Sequence, residues 1–329
     1  MTSMAFSGCV SEEWVGEKQS VESRPSTSIS SKVYVIKTRD REYGVNELMN
    51  YAESDLSSKK VAIKANYNSA DEFPASTHIE TLSAIVDFLK IGDNEIILAE
   101  RSGMGDTSNV LKETGVMSLS KEKDFEVVVL DELKIEDWIE VNPADSHWKR
   151  GFLFPKVFRE ADAIIQTCCL KTHRYGGHFT MSLKNSVGMI AKYHPKDGYN
   201  YMSELHTSPN QRKMIAEINT IYESDYVIMD AIKGFSKGGP DTGTLIEPGL
   251  MLASKDRVAL DAAGVAILRI FGTTSEVSRG DIFGQEQIAR AIELGLGAFS
   301  PENIEIIPVN GEASEVCLQI EDKLMEGYF

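Results

Sequence analysis

The chain of 329 residues has only four cysteines, and no two of them are spaced as Cys-x-x-Cys. That excludes a zinc ribbon or a ferredoxin-type iron–sulfur cluster read from spacing, and it favours a reduced, cytoplasmic setting. No run of about eighteen apolar residues occurs, so a helix long enough to span a membrane is not expected. Positive charge is also scarce, with 34 Lys and Arg against 50 Asp and Glu and a formal net charge of −16. General electrostatic attraction to nucleic acid or to an anionic membrane is thereby excluded, and an anionic ligand would need a local pocket. Internal repeats are absent, as is low-complexity sequence beyond residue 31.

Apolar residues make up 42% and charged residues 26%, the composition of a folded globular chain long enough for a large core. Residues 1–31, rich in Ser, Glu and Thr, read as a disordered leader or tether. Phe6-Ser7-Gly8-Cys9 looks like the end of a lipoprotein signal, but no basic and apolar segments precede it. A lipoprotein anchored through Cys9 is therefore the alternative to a cytoplasmic protein, and it requires a true start lying upstream.

From residue 32 the pattern alternates strand, polar loop and helix. Strands are predicted at 33–36, 60–64, 95–99, 125–130, 161–167, 226–229, 250–253 and 304–309, where β-branched and apolar residues cluster. Helices are predicted at 44–52, 77–89, 108–114, 211–222, 256–270 and 285–294. Thr77 is the expected cap of the second, with Glu80 in capping-box spacing. Residues 131–159 are less periodic and fit an antiparallel hairpin or a cap over the sheet. The expected fold class is α/β, a mostly parallel sheet with covering helices, either as one unit or as two subdomains. The halves divide into 32–160 and 161–329.

The densest chemistry lies between Cys168 and His194, which holds three of the six histidines together with Lys171, Lys184 and Asn185. In open α/β sheets ligands bind beyond the carboxyl ends of the strands. Four predicted strands end in polar residues: Lys64 and Asn66, Glu100 and Arg101, Lys171 and His173, and Asp230. If these strands are parallel neighbours, the residues share one cleft. Lys64, Asn66, Lys171, Lys184, Asn185 and Glu100, with the loop glycines Gly238 and Gly239, then form a substrate-binding set. His173 and Asp230 are the candidate catalytic pair, because an imidazole titrating near neutrality can move a proton beside fixed cations.

Each residue also has a plainer reading. Most lysines are solvated, and most histidines are structural. Asp256 is a helix N-cap and Asp261 a surface or first-turn residue. Cys168 and Cys169 pack in the core unless Lys171 and His173 lower a thiol pKa. A transition metal held by His173, His178, His194, Cys169 and Asp230 remains an alternative, since mixed N, O and S ligands suit such an ion. The glycines of 234–243 lack Walker spacing. Gly103 and Gly105 lack the third glycine of a dinucleotide fingerprint, so a Rossmann cofactor site is not expected.

Several motifs in order resemble the family known as domain of unknown function 362. They are Ile63-Lys64-Ala65-Asn66, Thr77-His78, Ala161-Asp162-Ala163, Leu170-Lys171-Thr172-His173, and Thr180 through Lys184-Asn185. His194, Asp230-Ala231, Gly238-Gly239-Pro240, Gly243, and Asp256 through Asp261 follow, so the resemblance spans about 32–311 as one domain. Ala65 stands where that family usually has proline. Some members carry a ferredoxin-like module, for which this chain lacks the cysteines. The resemblance implies a domain rather than an activity.

The leading expectation is an enzyme acting by general acid/base chemistry on a small anionic substrate, carboxylate or phosphate. Lysines would hold the anion, and Asn66 and Asn185 would orient it. A metal- or cofactor-binding accessory protein of a redox system is the alternative, and a lipid-tethered binding protein is the third. The sequence leaves cofactor identity and oligomeric state open.

Overall fold

The structure is a computed structural model that describes residues 30–328; the Cys9 signal and residues 1–29 of the expected leader lie outside the described residues, and Ser31, expected in the leader, instead begins the first strand. Among those residues ten strands form one sheet and two more form a separate pair. The strands are β1 (Ser31–Lys37), β2 (Lys60–Lys64), β3 (Glu95–Glu100), β4 (Glu126–Val129), β5 (Trp138–Val141) and β6 (Phe152–Pro155). They continue with β7 (Ala163–His173), β8 (His178–Thr180), β9 (Tyr226–Gly238), β10 (Gly243–Ile246), β11 (Leu250–Ser254) and β12 (Ile304–Pro308).

The main path runs β12-β1-β11-β9-β7-β2-β3-β4, with β8 paired to β7 and β10 to β9. Along that path only β11 runs against its neighbours, so the sheet is mixed but mostly parallel, with helices on both faces. The fold is α/β, as expected. Strands from both halves of the chain share this sheet. β1 from the amino-terminal half lies between β12 and β11 from the other.

The alternation of side chains along strands divides the core into three. On one face Val61, Ile63, Ile96, Leu98, Ile165, Tyr226 and Ile228 pack against helices Arg41–Met49, Ile79–Ile91, Thr107–Glu113 and Val116–Lys123. On the other face helix Arg257–Ile270, buried along all but its last turn, covers Val33, Cys168, Leu170, Val227 and Met229. The third core joins Ala62, Ala99 and Ile164 to the aromatic residues of the β5-β6 pair and to helices Tyr201–Thr207 and Gln211–Ile218. The antiparallel β5-β6 pair is the hairpin expected of the aperiodic region. No helix among the described residues is long and apolar enough to cross a membrane.

Local signals explain most boundaries, and the departures have physical causes. The first helix begins three residues before its predicted start because the Asp40 carboxylate accepts from the Tyr43 amide at 3.0 Å. The second starts at Ile79 with His78, not Thr77, as its cap: His78 Nδ1 accepts from the Glu80 amide. Thr77 is used elsewhere, its hydroxyl accepting from the Asn66 amide at 2.9 Å. β7 runs through Lys171 to His173, past the predicted end at 167, because β8 and the extended β9 supply partners on both sides.

Candidate functional site

β9, β7, β2 and β3 are consecutive parallel neighbours, so their carboxyl ends come together along one rim of the sheet. A cavity of about 620 Å³ opens there, of the size that holds small organic ligands. Lys64 closes β2, Glu100 closes β3, and Lys171 and His173 lie at the end of β7; all four line it. Asn66 enters from the loop after β2, and Lys184 and Asn185 from the short helix Ser182–Asn185.

Lys64 and Glu100 are almost wholly buried and meet at 2.6 Å. Glu100 also accepts from the Tyr67 amide at 3.0 Å and the Arg101 amide at 2.9 Å, while Lys64 donates to Asn185 Oδ1 at 3.2 Å and to the Ala65 carbonyl. Burial pushes Glu100 up and Lys64 down, and their mutual attraction opposes both shifts. Wherever the shared proton sits, the pair carries no net charge. Gly188 packs on this lysine: a Cβ there would lie 2.8 Å from both Cε and Nζ of Lys64, so a side chain at that position would displace the lysine head group.

The remaining cations of the wall form no ion pair with a carboxylate among the described residues. Lys171 is buried and donates to Asn66 Oδ1 at 2.7 Å and to the Ala75 carbonyl. Arg101, also buried, is held by the carbonyls of Ile190 at 3.0 Å, Ser102 at 3.3 Å and Val187. The Lys184 side chain, half-buried, makes no hydrogen bond or ion pair among the described residues. Burial, followed by repulsion from Lys171 and Arg101, lowers its pKa from 10.5 to about 7. Among the described residues Glu100 is the only carboxylate on the wall and is already matched by Lys64, so basic side chains outnumber acidic ones there.

The segment bearing Lys184 is fixed from behind. Asp261, fully buried on helix Arg257–Ile270, accepts from the Ser182 amide at 2.7 Å, the Ser182 hydroxyl at 2.5 Å and the Leu183 amide at 3.0 Å. It therefore satisfies the first donors of the Ser182–Asn185 turn. The surface or first-turn expectation for Asp261 is thus corrected. Its place in the second turn of an apolar helix carries it under the sheet edge, and burial raises its pKa to about 6. Asp256 does cap that helix, accepting from the Val258 and Ala259 amides.

His173 lines the cavity, but its ring is not poised to titrate near neutrality. Burial, and then the Lys184 charge, hold its pKa far below the usual range. Its Nδ1 accepts from the Gly177 amide at 3.2 Å, which leaves the proton of the neutral ring on Nε2 as a hydrogen-bond donor.

Other expected residues lie outside the cavity. Asp230 pairs with Cys169 in the sheet, short of Lys171, and shares the face of Tyr226 and Ile228. Its carboxylate accepts from Arg41 Nε at 2.8 Å and the Thr81 hydroxyl at 2.7 Å and does not line the wall. Gly238 and Gly239 turn the chain at the end of β9 with positive φ. A Cβ on Gly239 would fall 2.0 Å from the Thr172 carbonyl oxygen, and Pro240 rather than either glycine reaches the cavity. His178 lies opposite His173 in the β7-β8 pair, and His194 Nδ1 sits 3.1 Å from Asp197. Cys169 is buried with a thiol pushed up to about 12, and Cys168 is raised as well, the inert state of core cysteines. Among the described residues no three His, Cys, Asp or Glu side chains come together as a metal ion needs, so the five alternative ligands are not assembled.

Tyr67, Arg101 and His206 are wall residues to which the sequence reading gave no role. Arg101 stood visibly at the end of β3, and Tyr67 in the polar loop after β2. His206, 2.8 Å from the Gln211 amide and lowered to about 4 mainly by burial, has no local signal because the helix Tyr201–Thr207 reaches the site only through tertiary packing.

Fold and site together define an α/β protein with a cavity rich in lysine and arginine at the carboxyl edge of a mostly parallel sheet. The chain belongs to the family described as domain of unknown function (DUF362), whose model matches residues 61–266, a stretch that contains every wall residue of the cavity. No curated protein matches it. Among solved structures it is similar to the lactate racemase apoprotein from Thermoanaerobacterium thermosaccharolyticum, at 15% identity and a TM-score of 0.37. That match covers 65% of this chain and 53% of the other, so the chain spans about half the length of the protein it matches.

Proposed function

We propose that the chain is an enzyme that binds a small organic anion, carboxylate or phosphate, in this cavity and acts on it by proton transfer through Lys184. The observation that carries the reading is the charge balance of the wall: Lys171, Arg101 and Lys184 face one cavity in which the sole carboxylate is spoken for. Against a chain of formal charge −16, such a concentration of positive groups in a partly desolvated site attracts an anion and fixes its position.

Lys171 and Arg101 are immobilised by their carbonyl and amide partners, which suits them to hold negative charge without reorganising. Asn66 and Asn185 set the lysine head groups and can orient the ligand. Lys184 is the free group, and with a pKa of about 7 it can accept or deliver a proton at neutral pH. His173 supplies a neutral donor.

The test is a panel of small carboxylates and phosphate esters incubated with the protein in D2O and followed by NMR for turnover or solvent-deuterium incorporation. Enzyme-dependent reaction of at least one compound is expected, with loss in a folded Lys184→Met variant. Reaction that survives that substitution unchanged removes Lys184 from the role.

A further inference from the structure

Lys184 differs from the other cavity cations in a way that proton transfer alone does not explain. Lys64 is matched by Glu100, and Lys171 and Arg101 are anchored to carbonyl oxygens. The Lys184 amine has no anchor among the described residues, although it stands on a short helix that Asp261 holds rigidly through three hydrogen bonds. A positioned amine with no partner, beside cations that disfavour its protonation, is the arrangement of a lysine nucleophile. Tyr67 on the same wall has a buried hydroxyl without a hydrogen-bond partner, and His173 has its ring proton on Nε2.

Resting on the anion-binding reading above, we infer that the cavity takes 2-oxo acids, the carboxylate held by Lys171 and Arg101 and the adjacent ketone carbon captured by the Lys184 amine as an imine. The carboxylate and carbonyl of a 2-oxo acid are neighbours, which matches fixed cations beside a free amine. In the first step the nitrogen lone pair forms a C–N bond to the carbonyl carbon. The carbonyl oxygen gains a proton and the nitrogen loses one, giving a carbinolamine. The hydroxyl then leaves with a proton as water, and the nitrogen lone pair forms the C=N bond. Amine plus ketone gives imine plus water, with no oxidant or reductant. The neutral His173 ring on the same wall, whose proton lies on Nε2, serves as hydrogen-bond donor to the departing oxygen. An amine whose pKa is lowered to about 7 is substantially neutral, and so nucleophilic, at physiological pH.

The experiment is reductive trapping. The full chain is incubated separately with pyruvate, glyoxylate and 2-oxoglutarate, reduced with sodium cyanoborohydride, and analysed by intact mass and peptide mapping. Propionate serves as the carboxylate without a carbonyl. Binding is followed in parallel by thermal shift without reductant. A single adduct at Lys184 with at least one of the three, absent from a folded Lys184→Arg variant and forming faster as pH rises through 7, is the expected result. The pH series on the unmodified chain keeps the test decisive should the variant not fold. If the 2-oxo acids and propionate stabilise the chain but no adduct forms at Lys184, the imine inference fails and the anion reading stands. If they neither stabilise nor label it, both fail. Labelling scattered over exposed lysines with Lys184 unmodified overturns the inference as well.

Discussion

At the scale of single residues the site turns on where charge is matched and where it is not. Glu100 and Lys64 neutralise one another where both are almost wholly buried, and removing one partner leaves the other buried without its ion pair. Glu100→Gln is expected to destabilise the fold by about 3–5 kcal/mol, measured by denaturant unfolding; a loss below about 1 kcal/mol would mean the pair is not buried as described. On the proposed role of Lys184 as a free amine, rate should rise with pH through about 7 and level off above it. His173 offers the contrast. Its ring stays neutral over the working range, so His173→Gln, which keeps a neutral donor, should lower the rate while leaving the pH profile's midpoint in place. A midpoint that moved or vanished would return the titrating role to the imidazole. Residue type alone pointed to His173 as the acid and base, because an unperturbed imidazole titrates near neutrality and an unperturbed lysine does not. Burial reverses that order, and burial at a single position is not written in composition.

At the scale of elements, strand ends were the legible part. Lys64, Glu100 and Lys171 could be placed at one rim from the alternation of strand and helix, because parallel strands deliver their carboxyl ends to the same side. The same rule failed for Asp230, for a reason that lies in the pleat. Strand position says how far along the sheet a residue sits, but the face it occupies depends on register, and Asp230 falls on the face covered by Arg41 and Thr81. The element that completes the site, Ser182–Asn185, is held from helix Arg257–Ile270 by Asp261, a contact 79 residues away in sequence that no local pattern announces. Asp261 has a folded pKa of about 6 against an ordinary value of 3.8, so the folded state binds the proton more tightly than the unfolded one. Its contribution is full below about pH 4 and is lost as pH rises through 6. Asp261→Asn should flatten that segment of the stability curve, followed by thermal melting between pH 4 and 7. It should also slow reaction at Lys184 by loosening the turn. An unchanged curve would contradict the assignment.

At the scale of the whole molecule a strongly acidic protein keeps a positive interior at one sheet edge. The fold class follows from periodicity. The strand order does not: that β1 lies between β11 and β12, and that β11 alone runs reversed along the main path, are results of long-range pairing. All three cores mix residues from before and after position 160, which is why no composition shift marks the way the sheet is assembled. The claim on which function rests is that the cavity at the ends of β2, β3 and β7 binds a small anion through cations that lack carboxylate partners. Isothermal titration calorimetry of the full chain with inorganic phosphate and with small carboxylates, run beside a folded Lys171→Met variant, tests it most directly. Saturable one-site binding that weakens tenfold or more in the variant, a loss of about 1.4 kcal/mol or greater, and that also weakens as pH rises through 7 and Lys184 loses its charge, is the predicted result. Equal affinity in the two proteins, or no binding of any of these anions, would contradict it.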